Sequence, residues 1–343
     1  MWKNITLSVL SVIFTLALIE IALRVFIPVR QTRITPMYSP HPHLIYLGNP
    51  RHENNNTAGF GDFEHELEKG KDIKLRVAII GGSTTYGKDN WPVMLSKFLN
   101  ENKSIDGRTE VLNFGMPGFT ALESMINLAI NIQDYNPDIL IIHHALNDII
   151  PRLYHEVKRD YSHFRKIFSY KQNEIKKFLT SNSHLFSFLE NKLEMRASLA
   201  SLTMTIVDKR KENPYRPDYL NENSQIFERN LRTIIGISKG ANIQPILTTM
   251  PYSLDPKKLP RAWSIEHHLK VKGMQEHNRI IKRLAIEYQI PLVDLDAEMT
   301  GVEDFFSDHI HCTKMGRMKK AEIISRLGIF SDLIANKEEI SPN

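Results

Sequence analysis

The sequence predicts an α/β fold built on a five-stranded, mainly parallel sheet with helices on both faces. Three observations carry this. Short, continuous apolar runs recur along the chain, as expected of strands buried on both faces. Amphipathic stretches of helical length separate them, the alternation that produces parallel strands and crossover helices. The polar residues of unusual chemistry fall just after the apolar runs, where sheets of this kind bind ligands.

Arg76 to Ile80 (RVAII) is the first such strand and runs into Gly81-Gly82. A helix is expected at 91–100, a second strand at 110–115 (EVLNFG), a helix at 121–133 and a third strand at 138–145 (DILIIHHA). After a break come a helix at 226–239, a strand at 244–250 (QPILTTM), a long helix at 265–288, a strand at 291–296 (PLVDLD) and a closing helix at 314–327. Residues 151–222 interrupt the alternation, are charged and read as a largely helical insertion. Residues 31–74, with Pro36, Pro40, Pro42, Pro50 and Asn54-Asn55-Asn56, read as a linker over the domain surface. The organisation expected is an anchor at 1–30, this lead-in, a domain at 75–335 and a tail at 336–343.

Ile5 to Ile19 carries no charge, and the apolar pattern continues past Glu20 to Val29. Glu20 and Arg24 are four apart, share one helix face and can pair. Arg24 can also snorkel to the interface. With those allowances 5–27 spans a bilayer, and Pro28 ends the helix. A cleaved signal peptide needs a small-residue site, for which Ala22-Leu23-Arg24 is a poor match. Charges flank both ends, Lys3 on one side and Arg24, Arg30 and Arg33 on the other, and do not decide orientation. A single anchor before a soluble domain suggests a cell-membrane, single-pass protein with its large domain outside the cytoplasm.

A 343-residue chain with 42% hydrophobic and 24% charged residues is neither disordered nor fibrous. Lone Cys312 excludes an intrachain disulfide framework and Cys-rich zinc folds. The net charge of +5 is too mild to indicate nucleic acid, and the excess sits between 151 and 220, with 14 basic against 8 acidic residues. That surplus reads as a solvated helical face, with anionic lipid or glycan as the alternative partner.

Ser83 follows two glycines at the end of the first strand. The stretch Gly82 to Asp89 nearly matches a phosphate-binding loop, but Asp89 stands where Ser or Thr should ligate magnesium, and Tyr86 would crowd a phosphate. It is not a G-x-S-x-G elbow either, because Thr85 occupies the second glycine position. Asp308 and His311 are three apart. The carboxylate can fix the imidazole tautomer, leaving Nε2 to take a proton from a hydroxyl; the plain alternative is Asp308 as a helix cap. Asn147 and Gly118 offer an amide and a backbone N–H to an oxyanion. His267, His268 and His277 read as a solvated helix face, His143 and His144 as packing. His309 invites a metal reading that little supports. Pro251 and Tyr252 are candidates to line a pocket.

Order and spacing of these residues resemble the SGNH hydrolases, also called the GDSL esterase/lipase family, from about Asn56 to Leu327. Ser83 matches the nucleophile of the first block, with Gly82 in place of the aspartate of G-D-S. Gly118 matches the second block within N-x-G-x-P-G. Asn147 matches the third, with Ala145 in place of a glycine. Asp308 and His311 match the D-x-x-H of the last. Asn56 to Gly61 looks like the lead-in of membrane-anchored members. The resemblance implies a three-layer α/β/α sandwich of flavodoxin-like SGNH type. It implies a serine esterase with the triad Ser83, His311 and Asp308, an oxyanion hole of Ser83, Gly118 and Asn147, and no cofactor or metal. The expected substrate is an O-acyl, for example O-acetyl, ester of a cell-envelope glycan or lipid. An acyltransferase using the same serine and a catalytically silent glycan-binding protein are the alternatives.

Overall fold

The computed structural model describes residues 2–26, 37–102, 108–164, 178–179, 182–186, 188–189, 216, 218–259 and 265–340. It divides into two compact units, residues 1–36 with 167–208 and residues 37–166 with 209–343.

In the larger unit five strands form one sheet in the order β4-β3-β5-β6-β7. They are β3 (Ile73–Gly81), β4 (Arg108–Asn113), β5 (Ile139–His143), β6 (Gln244–Thr248) and β7 (Leu292–Val293). Every pairing is parallel. The strand period of two sorts β3 onto two cores. Ala78 and Ile80 join the cluster that holds Phe227, Leu231 and Ile281, whereas Val77 and Ile79 join the one that holds Trp91, Leu95 and Ile324. Helices α2 (Trp91–Glu101), α7 (Lys314–Ser325) and α8 (Ile329–Ile340) contribute to the second core, and α4 (Gln225–Gly240) and α5 (His267–Tyr288) to the first. Helix α3 (Ala121–Ile130) starts from a full capping box, Thr120 with Glu123. Shortening a core side chain such as Ile79 to Ala costs about 2–5 kcal/mol.

The structure departs from the sequence reading in five places. First, residues 37–74 are more than a surface linker. They form an antiparallel hairpin, β1 (Tyr38–His41) with β2 (Ile45–Gly48), and supply Leu44, Tyr46 and Phe60 to the first core. Buried Arg76 ties this segment to the sheet by donating to the carbonyls of Leu67 (2.7 Å), Glu68 (3.2 Å) and Tyr135 (2.6 Å) and to Glu110 (2.7 Å). Second, the strand expected at 291–296 keeps only Leu292–Val293, because the Asp294 carboxylate accepts from Ala297 N–H and starts the short helix α6 (Leu295–Met299). Third, the helix expected at 121–133 ends at Ile130, and a 3₁₀ turn follows at Ile132–Tyr135.

Fourth, both ends of the expected insertion belong to the core. Arg152, Leu153, Tyr154, Tyr161 and Leu220 are buried, and Asn221 N–H donates to Arg152 O at 2.8 Å. Most of its middle lies outside the described residues. Fifth, α8 runs to Ile340, into the stretch read as a tail.

In the smaller unit α1 (Trp2–Phe26) contains a 22-residue apolar stretch, Ile5–Phe26, of mean hydropathy 2.3 and unburied. At 1.5 Å per residue it is about 33 Å long, enough to cross a hydrocarbon core. The pair read from spacing is present, with Arg24 Nε 2.7 Å from Glu20 Oε1. Glu20 also accepts from Ser183 Oγ (2.9 Å) and from the N–H groups of His184 (2.9 Å) and Leu185 (2.8 Å).

Candidate active site

The carboxyl ends of β3, β4, β5 and β6 carry the loops that meet at one cleft. After β3 the chain turns at Gly81-Gly82 into a short turn, with Thr85 N–H donating to Gly82 O at 3.0 Å. Neither glycine needs a left-handed backbone; both are required by close packing. A Cβ at Gly81 would lie 2.3 Å from Thr85 Oγ1, and one at Gly82 would lie 2.5 Å from Asn147 Nδ2. The resemblance to a phosphate loop ends in the geometry: Lys88 Nζ donates to Glu53 O at 3.0 Å, and the Tyr86 hydroxyl donates to Asn55 at 2.9 Å.

The last block folds back on the turn after β3. Ser307 N–H donates to His311 O at 2.8 Å, and an isolated bridge joins Phe306 to Cys312. Asp308 Oδ1 accepts from the N–H groups of Ile310 (2.9 Å) and His311 (2.7 Å), while Oδ2 faces His311 Nδ1 at 2.7 Å. Asp308 is therefore no helix cap. Thr313 caps α7, accepting from Gly316 N–H at 3.2 Å. His311 Nε2 stands 2.8 Å from Ser83 Oγ, across 228 positions of sequence. Partial burial opposes ionisation of Asp308, but hydrogen bonds and charge from His311 and two backbone N–H groups outweigh it and hold its pKa at about 2. An ionised Asp308 fixes the tautomer with hydrogen on Nδ1 and the lone pair on Nε2 toward the serine.

Asn147 sits in a 3₁₀ turn, Leu146–Asp148, just beyond β5. Its Nδ2 donates one hydrogen to Phe119 O at 2.8 Å; a primary amide carries a second. Gly118, after β4, has φ +76°, the left-handed region that favours glycine. Gly82, Ser83, Thr84, His143, His144, Ala145, Leu146, Asn147 and Met250 line a small cleft.

A family model for the GDSL-like lipase/acylhydrolase family matches residues 79–317. The chain belongs to this family. It is an ester-hydrolysing enzyme. Solved structures similar to it include the lipase/acylhydrolase from Enterococcus faecalis (16% identity, 74% of this chain and 94% of that one, TM-score 0.45). The acetylxylan esterase Axe2 from Geobacillus stearothermophilus is another (14%, 74% and 94%, 0.45). A third is a GDSL-like lipase from Bacteroides thetaiotaomicron (15%, 76% and 89%, 0.43). No curated protein matches the chain in sequence.

Around this GDSL-type cleft the remaining candidates separate. His143 and His144 are fully buried and hydrogen-bonded, His143 to Thr248 Oγ1 (2.7 Å) and Lys320 Nζ (3.1 Å), His144 to Ser124 Oγ (2.8 Å). Burial pushes both pKa values down, that of His144 to about 3, so both stay neutral and form a fixed floor. His277 is not on a solvated face. It stacks on Phe227 with ring centroids 4.2 Å apart and bonds Ala145 O at 2.9 Å. The α5 stripe Met274, His277, Ile281 and Leu284 carried that signal at spacings of three and four. His309 is buried, and among the described residues no cluster of three or more His, Cys, Asp or Glu stands ready to hold a metal. Met250, rather than Pro251 or buried Tyr252, lines the cleft. Tyr46 and Phe119 back the Gly118 loop and were not singled out in the sequence, since neither lies in a recognisable motif.

Proposed function

We propose that the protein is a membrane-anchored serine esterase that removes short O-acyl groups, acetyl above all, from a cell-envelope glycan or lipid outside the cytoplasm. The observation that carries the proposal is the 2.8 Å approach of His311 Nε2 to Ser83 Oγ, with Asp308 behind the ring at 2.7 Å. His311 takes the hydroxyl proton as Ser83 Oγ bonds to the ester carbonyl carbon. The oxyanion forms beside the N–H groups of Ser83 and Gly118 and the second amide hydrogen of Asn147. As the C–O bond to the alcohol breaks, His311 returns the proton to the leaving oxygen. Water, activated by the same imidazole, then cleaves the acyl-enzyme and releases the acid. The small cleft and its immobile histidine floor favour a short acyl group. The Ile5–Phe26 stretch supports the anchor.

A fluorophosphonate should label the full-length protein in detergent, and Ser83→Ala should abolish labelling. A panel of p-nitrophenyl esters should show kcat/KM falling as the acyl chain lengthens from two to eight carbons. Persistent labelling of the Ser83→Ala protein removes Ser83 as the nucleophile.

A further inference from the structure

We propose that Tyr46, from the N-terminal hairpin, is a positioning residue for the oxyanion hole, so that the segment before the first sheet strand is a working part of the active site. This rests on the Ser83–His311 reading above and adds a residue outside that pair. Tyr46 lies on β2 and is only 5% exposed. Its hydroxyl donates to Pro117 O at 2.5 Å.

The consequence follows from peptide geometry. The described chain has no cis peptide bond, so the unit joining Pro117 to Gly118 is trans. In a trans unit the C=O and the following N–H point to opposite sides of a rigid plane. Holding the Pro117 carbonyl therefore fixes where the Gly118 N–H points. The left-handed backbone at Gly118 would otherwise leave that plane easy to rotate, because glycine has no Cβ to restrict it. The hydroxyl also closes the space beside Gly118, where a Cβ would lie 2.8 Å from it.

The same side chain reaches the second donor through one intermediary. The Tyr46 ring packs on Phe119, with centroids 5.5 Å apart and planes at 58°. Phe119 O is the acceptor that holds one hydrogen of the Asn147 amide at 2.8 Å, which aims the other. The loop is pinned at its base as well, by Met116 N–H to Gly81 O at 3.0 Å. Pro117, Gly118 and Phe119 thus sit between the sheet on one side and Tyr46 on the other. Two of the three proposed oxyanion donors take their direction from them.

The test is Tyr46→Phe, which keeps the ring and removes only the oxygen, with Tyr38→Phe as the control. Tyr38 is on the same hairpin with its ring 5.2 Å from Tyr46, so it reports general loosening. Turnover is measured on a p-nitrophenyl acetate substrate per active site titrated with fluorophosphonate, which discounts any unfolded fraction. Tyr46→Phe should lower kcat about tenfold with KM within about twofold, and slow fluorophosphonate labelling in parallel, because loss of aim is a partial loss of a donor worth 10²–10³. Tyr38→Phe should leave kcat within about twofold. Combined with Asn147→Ala, the loss from Tyr46→Phe should persist, because the ring packed on Phe119 is kept and the missing oxygen acts on the Pro117–Gly118 unit. A kcat unchanged in Tyr46→Phe, an equal fall in Tyr38→Phe, or a loss that vanishes in the Asn147→Ala background each overturns the proposal. Labelling that survives Ser83→Ala would instead overturn the reading on which it rests, and the two failures are read from different proteins.

Discussion

The side-chain nitrogen of Asn147 lies 2.5 Å from the point where residue 82 would carry a Cβ. Gly82 and Asn147 therefore share one volume, and any side chain at 82 must displace the amide. In this chain the space beside Ser83 is filled by the amide of the third block. Gly82→Asp, which would write the family's usual motif into this chain, is expected to lower kcat by about 10–100-fold through the moved amide. KM should change less. The measurement is steady-state hydrolysis of a short ester, and an active Gly82→Asp protein would show that Asn147 is not needed where it stands.

Asp308 gives a prediction in two parts. Asp308→Asn keeps the size of the side chain but offers the imidazole the wrong partner, and should cost about 10³–10⁴ in kcat by analogy with other triads. In the native protein the carboxyl is held at about 2, below its unfolded value of about 3.9. A depressed acid stabilises the fold above its unfolded pKa, and the contribution is lost as pH falls through about 4 toward 2. Unfolding midpoints between pH 5 and pH 2 should therefore fall less steeply in Asp308→Asn than in the native protein.

The sheet was legible because strands buried on both faces need no alternation. Val77 to Ile80 and Ile139 to Ile142 read as unbroken apolar runs and are buried throughout. The hydrogen-bonded arrangement of Asp308, His311 and Ser83 was legible because two of these residues are three apart and the third follows a double glycine. The hairpin was not. Its strands, Tyr38–His41 and Ile45–Gly48, are four residues each, one contains Pro40, and Ile45 adopts φ +68°. Signals so short are swamped by the prolines and asparagines around them. The second-layer contacts of Tyr46 and Phe119 depend on that hairpin, so they were out of reach for the same reason. The strand at 291–296 failed differently, since Asp294 reads as one more residue of the run but acts as a helix cap.

A second titration lies under the lead-in segment. His65 Nδ1 is 2.9 Å from Glu110 and Nε2 is 3.1 Å from Asp62. Burial opposes its protonation, but hydrogen bonds and charge from Asp62 and Glu110 win and raise its pKa to about 9. A histidine raised above its unfolded value of about 6.5 stabilises the fold fully below that pH and loses the effect as pH rises through about 9. Asp62 also accepts from Asn113 N–H at 2.6 Å, at the end of β4, so the stability concerned is that of the lead-in on the sheet. The thermal midpoint of the native protein should drop between pH 6.5 and pH 9.5. His65→Gln should have a lower midpoint at pH 6.5 and a flatter profile across this range. Parallel profiles for the two proteins would remove His65 as the titrating group.

In the smaller unit one carboxylate holds two stretches of chain together. Glu20, on α1, accepts from Arg24, from Ser183 Oγ and from the N–H groups of His184 and Leu185, while Arg24 Nη2 donates to Asn182 O at 2.7 Å. A carboxylate on an apolar helix is costly without partners, and here it has four. The arrangement fits a role in docking residues 182–185 against α1, because two N–H groups left open at the start of a turn are satisfied from outside it. Glu20→Ala removes every one of these acceptors and strands the Arg24 side chain with Asn182 alone. Glu20→Gln keeps one oxygen and should retain part of the contact. In lipid nanodiscs, limited proteolysis should cut near residues 182–189 fastest in Glu20→Ala, at an intermediate rate in Glu20→Gln and slowest in the native protein. Equal cutting in all three would mean that the 182–185 turn is held by contacts other than Glu20.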